Sequence, residues 1–515
     1  MPYFLTKTIK KITSLTGTNL QWLFVISAAL LAWRIAYIQQ GWVNDDSVLY
    51  FEVARLFSIG EWKQGFALYN WPLYPAIISL LHKTTGGDFQ FIAQILNVLF
   101  FTLATYSFTQ IIRLAGGNKL TMFCGVLLLF STPYIVGNVL GMLLRDEGFW
   151  AFFLLSIQYF IQFYRSEKIN DALLWQLSAV IAVLFRVEAI TFLALLPLIL
   201  LTKKDAPHIK SWAYANSIGL LTVTFIAFTL ILNPTLTLKN YGRLNDIFTV
   251  LASSYTNITQ TLVAKAQIMN EQILGGFLDN YGMTGIVVTL LTILIVKCVS
   301  APGWMASLIL IGNWKNSVKQ ISPDALKIFY WVMALATLNA AVILTSTFIL
   351  SGRYIVSLGL IMLVLASFCL ASLFDMPKTR WRKLLPVLIL TILSLSLINN
   401  TLAKNNEYNY EQHAVNWIKA HNQSNAPVFY VSSSARYYAG EPYAGRGYDE
   451  WDYTINAISD GSIQKYQYLA INIRNHQPEK EQQLFNALTN YQRVKEVMGF
   501  RSKKKVMIFV KKQNS

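Results

Sequence analysis

Long apolar runs, repeated along the whole chain, are the feature that most constrains its fold. The first, residues 21–39, reads QWLFVISAALLAWRIAYIQ and is long enough to cross a bilayer as a helix. Charged residues make up only 13% of the chain, about half the share usual in soluble domains. Because every backbone polar group in lipid must be satisfied internally, the runs predict a polytopic α-helical membrane protein.

Apolar length and basic flanks together predict about eleven transmembrane helices. The assignment alternates consistently only if residues 172–202 form a hairpin of two short helices that breaks at Arg186-Val187-Glu188. A single span there would be too long and would leave two charges in lipid. The predicted spans are 20–39, 90–112, 120–138, 148–164, 172–185, 189–202, 212–233, 284–300, 328–350, 355–374 and 384–403.

Membrane topology also explains the net charge of +17. In a soluble chain this charge would suggest a nucleic-acid partner. Here the basic residues cluster mostly in short segments between apolar runs, as in cytoplasmic loops, so no nucleic-acid partner is expected. Cys124, Cys298 and Cys369 lie in or at the edge of apolar runs and predict neither a disulfide framework nor a cysteine metal site.

The predicted transmembrane domain covers residues 1–403 and includes two long outer loops, 40–89 and 234–283. The first loop mixes aromatic residues with charges, as helices lying in the membrane interface do. Residues 404–515 are polar and predict a small α/β domain on the same outer face. Its strand-like runs are 428–432, 468–473 and 505–510, and its helical patterns are 411–420 and 479–488.

Charged residues near the outer ends of the predicted helices are the candidates for chemistry. An ionisable group at membrane depth is costly to keep and points to function. Four separate segments bring such residues to one face, and this convergence carries more weight than any single residue. The residues are Asp45, Asp46, Arg145, Asp146, Glu147, Arg186, Glu188 and Arg353.

Asp45 and Asp46 directly follow the first span and offer a general base. A carboxylate beside lipid keeps its proton to a higher pH than usual, which suits base catalysis. The alternative is that Asp46 caps a helix N-terminus, although a cap needs only one carboxylate. Asp146 and Glu147 form a second acidic pair, which could orient an acceptor, hold a cation or share the base role. The alternative for Arg145-Asp146-Glu147 is a capped helix start with an internal ion pair.

Ser351-Gly352-Arg353-Tyr354 stands between two apolar runs. The planar fork of an arginine matches phosphate, and glycine allows a close backbone approach. Together with Arg186, this segment predicts a clamp for an anionic lipid that includes Arg353 and Tyr354. The alternative is an arginine that extends to the interface beside an aromatic-belt tyrosine.

The first outer loop carries the segment Tyr69-Asn70-Trp71-Pro72-Leu73-Tyr74-Pro75. Tyr69, Trp71, Pro72 and Tyr74 are candidates for a substrate loop, with the aromatic rings as stacking platforms for a sugar. Taken singly, each residue also fits a structural role, because prolines are common at helix starts and aromatic residues are common in the membrane interface.

These segments together resemble GT-C type glycosyltransferases. Asp45-Asp46, followed by Tyr50, Ala54 and Gly60, looks like the acidic motif that opens the first outer loop of that group, where the usual pair is Asp-Glu. The proline segment, the Arg186 to Glu188 break and Arg353-Tyr354 look like further elements of the group. The resemblance covers about 20–403 and is closest to protein O-mannosyltransferases (glycosyltransferase family 39), lipid A aminoarabinose transferases and RgtA/B/C/D-like proteins.

The resemblance implies an inverting transferase that uses a polyprenyl-phosphate-linked sugar as donor. It implies that Arg353, with Arg186, meets the lipid phosphate and that Asp45 takes the proton from an acceptor hydroxyl. The acceptor could be a lipid, a glycan or a protein, and the location would be the bacterial inner membrane with the site on the periplasmic face. No cofactor is predicted with certainty, although acidic pairs could hold a divalent cation through oxygen ligands.

Two other classes of protein would also need charged groups at membrane depth. A transporter or flippase for a lipid-linked or anionic solute often shows repeated halves, which this sequence lacks. A non-catalytic membrane scaffold would use the C-terminal domain to bind partners. Consumption of a lipid-linked donor by the purified protein separates an enzyme from both.

Overall fold

The computed structural model describes residues 16–39, 42–203, 208–233, 243–374, 380–402, 409–445, 449–474, 476–499 and 504–512. Within these ranges the chain is mostly helical and has one small sheet near its C-terminus. The predicted domain boundary at 403 and residues 234–242 of the second long loop lie outside the described residues.

The first half of the chain alternates long apolar helices with short ones. In chain order the helices are α1 (Gly17–Ile38), α2 (Asp45–Ser58), α3 (Trp62–Leu68), α4 (Leu73–Thr85), α5 (Phe89–Leu114), α6 (Lys119–Ser131), α7 (Asp146–Ser166), α8 (Ile169–Phe185), α9 (Ile190–Leu195), α10 (His208–Ala215) and α11 (Ser217–Leu232). A π-helical segment, Pro133–Val139, follows α6, and the short 3-10 helices Val187–Ala189 and Leu196–Thr202 flank α9.

The second half continues with long helices and ends in the sheet. Its helices are α12 (Arg243–Met269), α13 (Gly282–Ser300), α14 (Trp304–Ser317), α15 (Pro323–Thr347), α16 (Gly352–Ser372), α17 (Arg380–Thr401), α18 (Tyr410–His421), α19 (Ser433–Ala439), α20 (Glu450–Ser459) and α21 (Pro478–Ala487). The strands are β1 (Val428–Tyr430), β2 (Tyr468–Arg474), β3 (Tyr491–Met498) and β4 (Lys504–Lys511).

Six helices in the described parts of the chain are long and apolar enough to cross a membrane. Two further pairs of helices pass the same test only when combined, and they bend by 44° at Thr132 and by 75° at Asn216. The chain is therefore a multi-pass helical membrane protein, and its described residues contain six to eight such spans by length and composition. The larger count of eleven remains a prediction.

The chain forms two compact units, each assembled from separate segments. The first unit contains residues up to Ala28, Phe100–Ile135 and Asp146–Leu397. Helix α16 is its most enclosed span, because nearly all of its side chains are buried against neighbouring helices. The predicted break in residues 172–202 is confirmed, since α8 ends at Phe185 and Arg186 adopts an extended conformation.

The second unit contains Ala29–Leu99, Val136–Arg145 and Ile398 onward. The predicted first outer loop is helical here and supplies α2, α3 and α4. The N-cap of α2 is Asn44, whose side chain accepts a hydrogen bond from the backbone N–H of Asp46 at 3.0 Å. The alternative that Asp46 is the cap is therefore wrong, because a neutral asparagine already satisfies the helix start.

The C-terminal domain of the second unit is the predicted small α/β domain. Its sheet has the order β1-β2-β4-β3, with β1 and β2 parallel and the other pairs antiparallel. One face packs around Leu469, Ile471 and Phe509, and the other packs around α18. Three of the strands and α18 and α21 were predicted from sequence, whereas β3, α19 and α20 were not.

Candidate active site

Asp146 is the centre of a charged cluster in the first unit. Its side chain is 0% exposed and pairs with two guanidinium groups from other segments. Arg186 Nη1 donates to Asp146 Oδ1, and Arg353 donates from Nε to Oδ1 at 3.1 Å and from Nη2 to Oδ2 at 2.8 Å. The structure therefore brings together three residues that lie far apart in sequence.

The two arginines of this cluster differ in accessibility. Arg186 is 3% exposed, donates to Glu188 Oε1 at 2.9 Å and lies 5.1 Å from the centre of the Tyr354 ring. Arg353 stands in the first turn of α16 and keeps 29% of its side chain exposed. Arg186 is thus held inside by charge and ring contacts, while Arg353 retains a surface that an anion could approach.

Tyr134 is a neighbour of this cluster that the sequence interpretation missed. It lies in the π-helical segment after α6, and such segments are frequent at functional sites. A Cβ added at Gly352 would lie 2.5 to 3.0 Å from ring and hydroxyl atoms of Tyr134. The glycine of the Ser351 to Tyr354 segment therefore makes room for an aromatic ring from another helix, and Tyr134 is within electrostatic reach of Arg353 and Asp146.

Glu147 behaves differently from Asp146. Its side chain is fully buried, and neither carboxylate oxygen has a hydrogen-bond partner among the described residues. Arg145 belongs to the second unit, where its guanidinium lies 5.6 Å from the centre of the Tyr69 ring. The three adjacent charged residues therefore have three different surroundings, and the guanidinium partners of Asp146 come from distant segments.

Asp45 lines a polar cavity of about 470 Å³ in the second unit. The cavity also contains Glu450 and Trp451 from α20 and Asn472 and Lys504 from the sheet. Its volume is in the range of pockets that hold small ligands. The candidate base predicted from sequence therefore shares its cavity with side chains of the C-terminal domain, which the sequence did not indicate.

Three carboxyl groups in and beside this cavity have raised pKa values. Loss of hydration raises the pKa of Asp45, Lys504 acts to lower it, and Asp46 adds a smaller upward effect. Loss of hydration also raises the pKa of Glu450 to about 7 and raises the pKa of buried Glu411, which accepts a hydrogen bond from Asn472 Nδ2 at 2.5 Å. The raised pKa of Asp45 suits a group that takes up a proton in the reaction.

The candidate substrate-loop residues build the inside of the second unit. Tyr69 and Tyr74 are buried and pack against Tyr50, with ring centres 5.3 and 5.6 Å apart. Pro72 is the N-cap residue of α4, and Trp71 next to it is half-buried. These contacts account for the two tyrosines and the proline as residues that shape the loop, and their predicted role toward substrate stays a prediction.

Comparison with known proteins identifies the fold of the chain. No family model matches the sequence, and no curated protein matches it. Among solved structures, the archaeal oligosaccharyltransferase AglB from Archaeoglobus fulgidus, in complex with an inhibitory peptide and a dolichol-phosphate, superposes with a TM-score of 0.51 at 10% identity, covering 89% of this chain and 70% of that one. The arabinofuranosyltransferase AftD from Mycobacteria matches with a TM-score of 0.46 at 12% identity, covering 95% and 40%. The likeness to the oligosaccharyltransferase shows the fold, which is that of the GT-C membrane glycosyltransferases.

Proposed function

We propose that the chain is a glycosyltransferase that moves a sugar from a polyprenyl-phosphate-linked donor to an acceptor hydroxyl outside the cytoplasm. The observation that carries the proposal is Asp45, a carboxyl group of raised pKa that lines a polar cavity in a chain of GT-C fold. Proton-coupled transporters also contain such carboxyl groups, so consumption of the donor is the test that separates an enzyme from them.

In this mechanism Asp45 takes the proton from the acceptor hydroxyl as that oxygen attacks the anomeric carbon of the donor sugar. The bond between the anomeric carbon and the phosphate oxygen breaks, and the lipid phosphate leaves with the electron pair. A single displacement of this kind inverts the anomeric centre. The acceptor is proposed to occupy the cavity beside Asp45, where Trp451 and Asn472 offer a ring face and an amide to a polar ligand.

The donor phosphate is proposed to bind Arg353 at its exposed edge, with Arg186 and Tyr354 behind it. Positive charge at that position would stabilise the anion that develops as the phosphate leaves. Asp146 then acts by holding both guanidinium groups in place. The dolichol-phosphate bound to the structurally similar oligosaccharyltransferase supports a lipid-phosphate donor for this chain. We place the reaction at the periplasmic face of the bacterial inner membrane, because the basic loops are typical of the cytoplasmic side.

The base assignment is tested with the variants Asp45→Asn and Asp46→Asn in proteoliposomes that contain a labelled polyprenyl-phosphate sugar and a membrane extract as acceptor. Loss of a general base slows transfer by about 100- to 10,000-fold, so Asp45→Asn should lose donor consumption while Asp46→Asn keeps most of it. Near-normal turnover by Asp45→Asn would remove it from the role of base. Wild-type protein that consumes no donor would favour a transporter or a scaffold.

A further inference from the structure

Three carboxyl groups from three chain segments lie within electrostatic reach of one lysine of the C-terminal sheet. Asp45 comes from α2, Glu411 from α18 and Glu450 from α20. The positive charge of Lys504 acts to lower the pKa of each of these carboxyl groups. Asp45, Glu450 and Lys504 line the same cavity, and Glu411 lies behind it on Asn472. The lysine is therefore the positive partner that these acids share.

Direct contacts fix the C-terminal domain against the segment that carries Asp45. Ser434 Oγ donates to the backbone carbonyl of Val43 at 3.0 Å, and this bond is buried. The ring centres of Phe51 on α2 and Tyr437 on α19 lie 5.4 Å apart. Because α2 and α19 pack together within one unit, Lys504 has a defined position relative to Asp45.

This arrangement does not suit a divalent metal ion. A hard cation needs several oxygen ligands that converge on one point. In the parts of the chain that are described, no three or more His, Cys, Asp or Glu side chains form such a group. One of the three acids, Glu411, is also turned toward the amide of Asn472. The residues around Asp45 therefore fit an ammonium group better than they fit a metal.

We propose that the Lys504 ammonium is the cation of the Asp45 site and that it favours the ionised form of the base. The inference rests on the proposed role of Asp45 as base. It makes Lys504 a positioning residue that acts through Asp45, and it gives the C-terminal domain a direct part in the chemistry.

The charged groups that face Asp45 determine in which direction its pKa changes when the charge of Lys504 is removed. Asp46 on α2 favours the protonated form of Asp45, and its charge is like that of the ionised base. The negative charge of Asp45 in turn acts to raise the pKa of Glu411 and Tyr410 of α18 and of Glu450 of α20. Lys504 opposes these acids, so removing its charge raises the pKa of Asp45 and moves ionisation of the base to higher pH.

The other charged groups at the cavity are partly occupied with one another. Lys480 of α21 lies 4.5 Å from the centre of the Trp451 ring and acts on Asp449 at the start of α20. Arg474 stands exposed at the end of β2. Neither cation is among those that act on Asp45, which is why we assign the effect to Lys504.

The test measures the ionisation of Asp45 without any substrate. Infrared difference spectra of the full chain in detergent are recorded against pH, and the protonated carboxyl band that is missing in Asp45→Asn is assigned to Asp45. In Lys504→Met its midpoint should move up by about one to two pH units, as expected for loss of a nearby opposite charge. Lys504→Arg should keep the wild-type midpoint, and so should the matched control Lys495→Met, which removes an exposed lysine of β3.

An unchanged midpoint in a folded Lys504→Met protein would overturn the proposal. Should that variant not fold, a second measurement decides with the wild type and Asp45→Asn: titration with Mn²⁺ followed by electron paramagnetic resonance should reveal no site that depends on Asp45. A Mn²⁺ site present in wild type and lost in Asp45→Asn would refute the proposal. Failure of the glycosyltransferase assignment is distinguishable, because it abolishes donor consumption and leaves both readouts unchanged.

Discussion

At the scale of single residues, Asp146 illustrates how a charge is kept inside a membrane protein. The fully buried carboxylate of Asp146 forms ion pairs with two guanidinium groups, so their charges are compensated. Glu188 forms a second ion pair with Arg186. A buried ion pair contributes little over a well-packed apolar pair, but removing one partner leaves an uncompensated charge. The cluster is therefore sensitive to loss of its central acid.

We predict that Asp146→Asn lowers the free energy of unfolding by about 3 to 5 kcal/mol, because it leaves buried Arg186 without its central partner. Asp324→Asn is the matched control, since Asp324 is 53% exposed and pairs with Arg165 at 3.7 Å. Loss of such an exposed pair costs about 0 to 1 kcal/mol. Denaturant unfolding of both variants in detergent measures the difference, and equal losses would contradict the account of the cluster.

The sequence predicted the charged members of the Asp146 cluster, but of the residues that line the Asp45 cavity it predicted only Asp45 itself. Arg186, Glu188 and Arg353 stand out because charges in apolar surroundings are rare, so each is visible from its neighbours alone. Lys504 lies within a run of basic residues and carries no such signal. Its importance arises from the sheet, which brings it to the cavity of Asp45, and a single sequence does not contain that pairing.

At the scale of elements, the helices were easier to predict than the strands and short helices. Residues 304–317, which form α14, are too short to span a bilayer and were assigned to a loop, yet one face of this helix packs along α16 and Asn313 Nδ2 donates to the Cys369 carbonyl at 2.8 Å. Strand β3 was missed because it lies at the edge of the sheet, with Tyr491 as its one buried side chain and Gln492, Arg493 and Lys495 exposed. It therefore lacks the apolar alternation by which strands are recognised.

Helix packing around α16 yields the element-scale prediction. A Cβ at Gly359 would lie 2.5 Å from the backbone oxygen of Ala301, which cannot move aside as a flexible side chain could. We expect Gly359→Ala to lower the free energy of unfolding by about 1 to 3 kcal/mol, as overpacking does. Gly312→Ala on α14 is the control, because nothing lies within 4 Å of its added Cβ. Thermal unfolding in detergent compares the two, and equal stability would argue against this close packing.

At the scale of the whole molecule, each of the two compact units contains one of the two clusters. The Asp146 cluster joins α7, the α8 break and α16, whereas the Asp45 cavity joins α2 and the C-terminal domain. Neither cluster is contiguous in sequence. Each is formed by chain segments that are far apart in sequence but belong to the same unit. Asp45 and the C-terminal domain must therefore lie on the same side of the membrane for the cavity to form.

Membrane topology provides the whole-molecule prediction. Single cysteines introduced at Thr84 and Ser424, both exposed, should react with a membrane-impermeant maleimide in intact spheroplasts, because we place the first outer loop and the C-terminal domain outside. A cysteine at exposed Asn170, beside the basic residues Arg165 and Lys168, should react only after permeabilisation, since basic loops favour the cytoplasm. The native cysteines are replaced by serine in all three proteins. Labelling of Thr84 and Ser424 from opposite sides would contradict the shared cavity, whereas labelling of both only from inside would place the reaction in the cytoplasm.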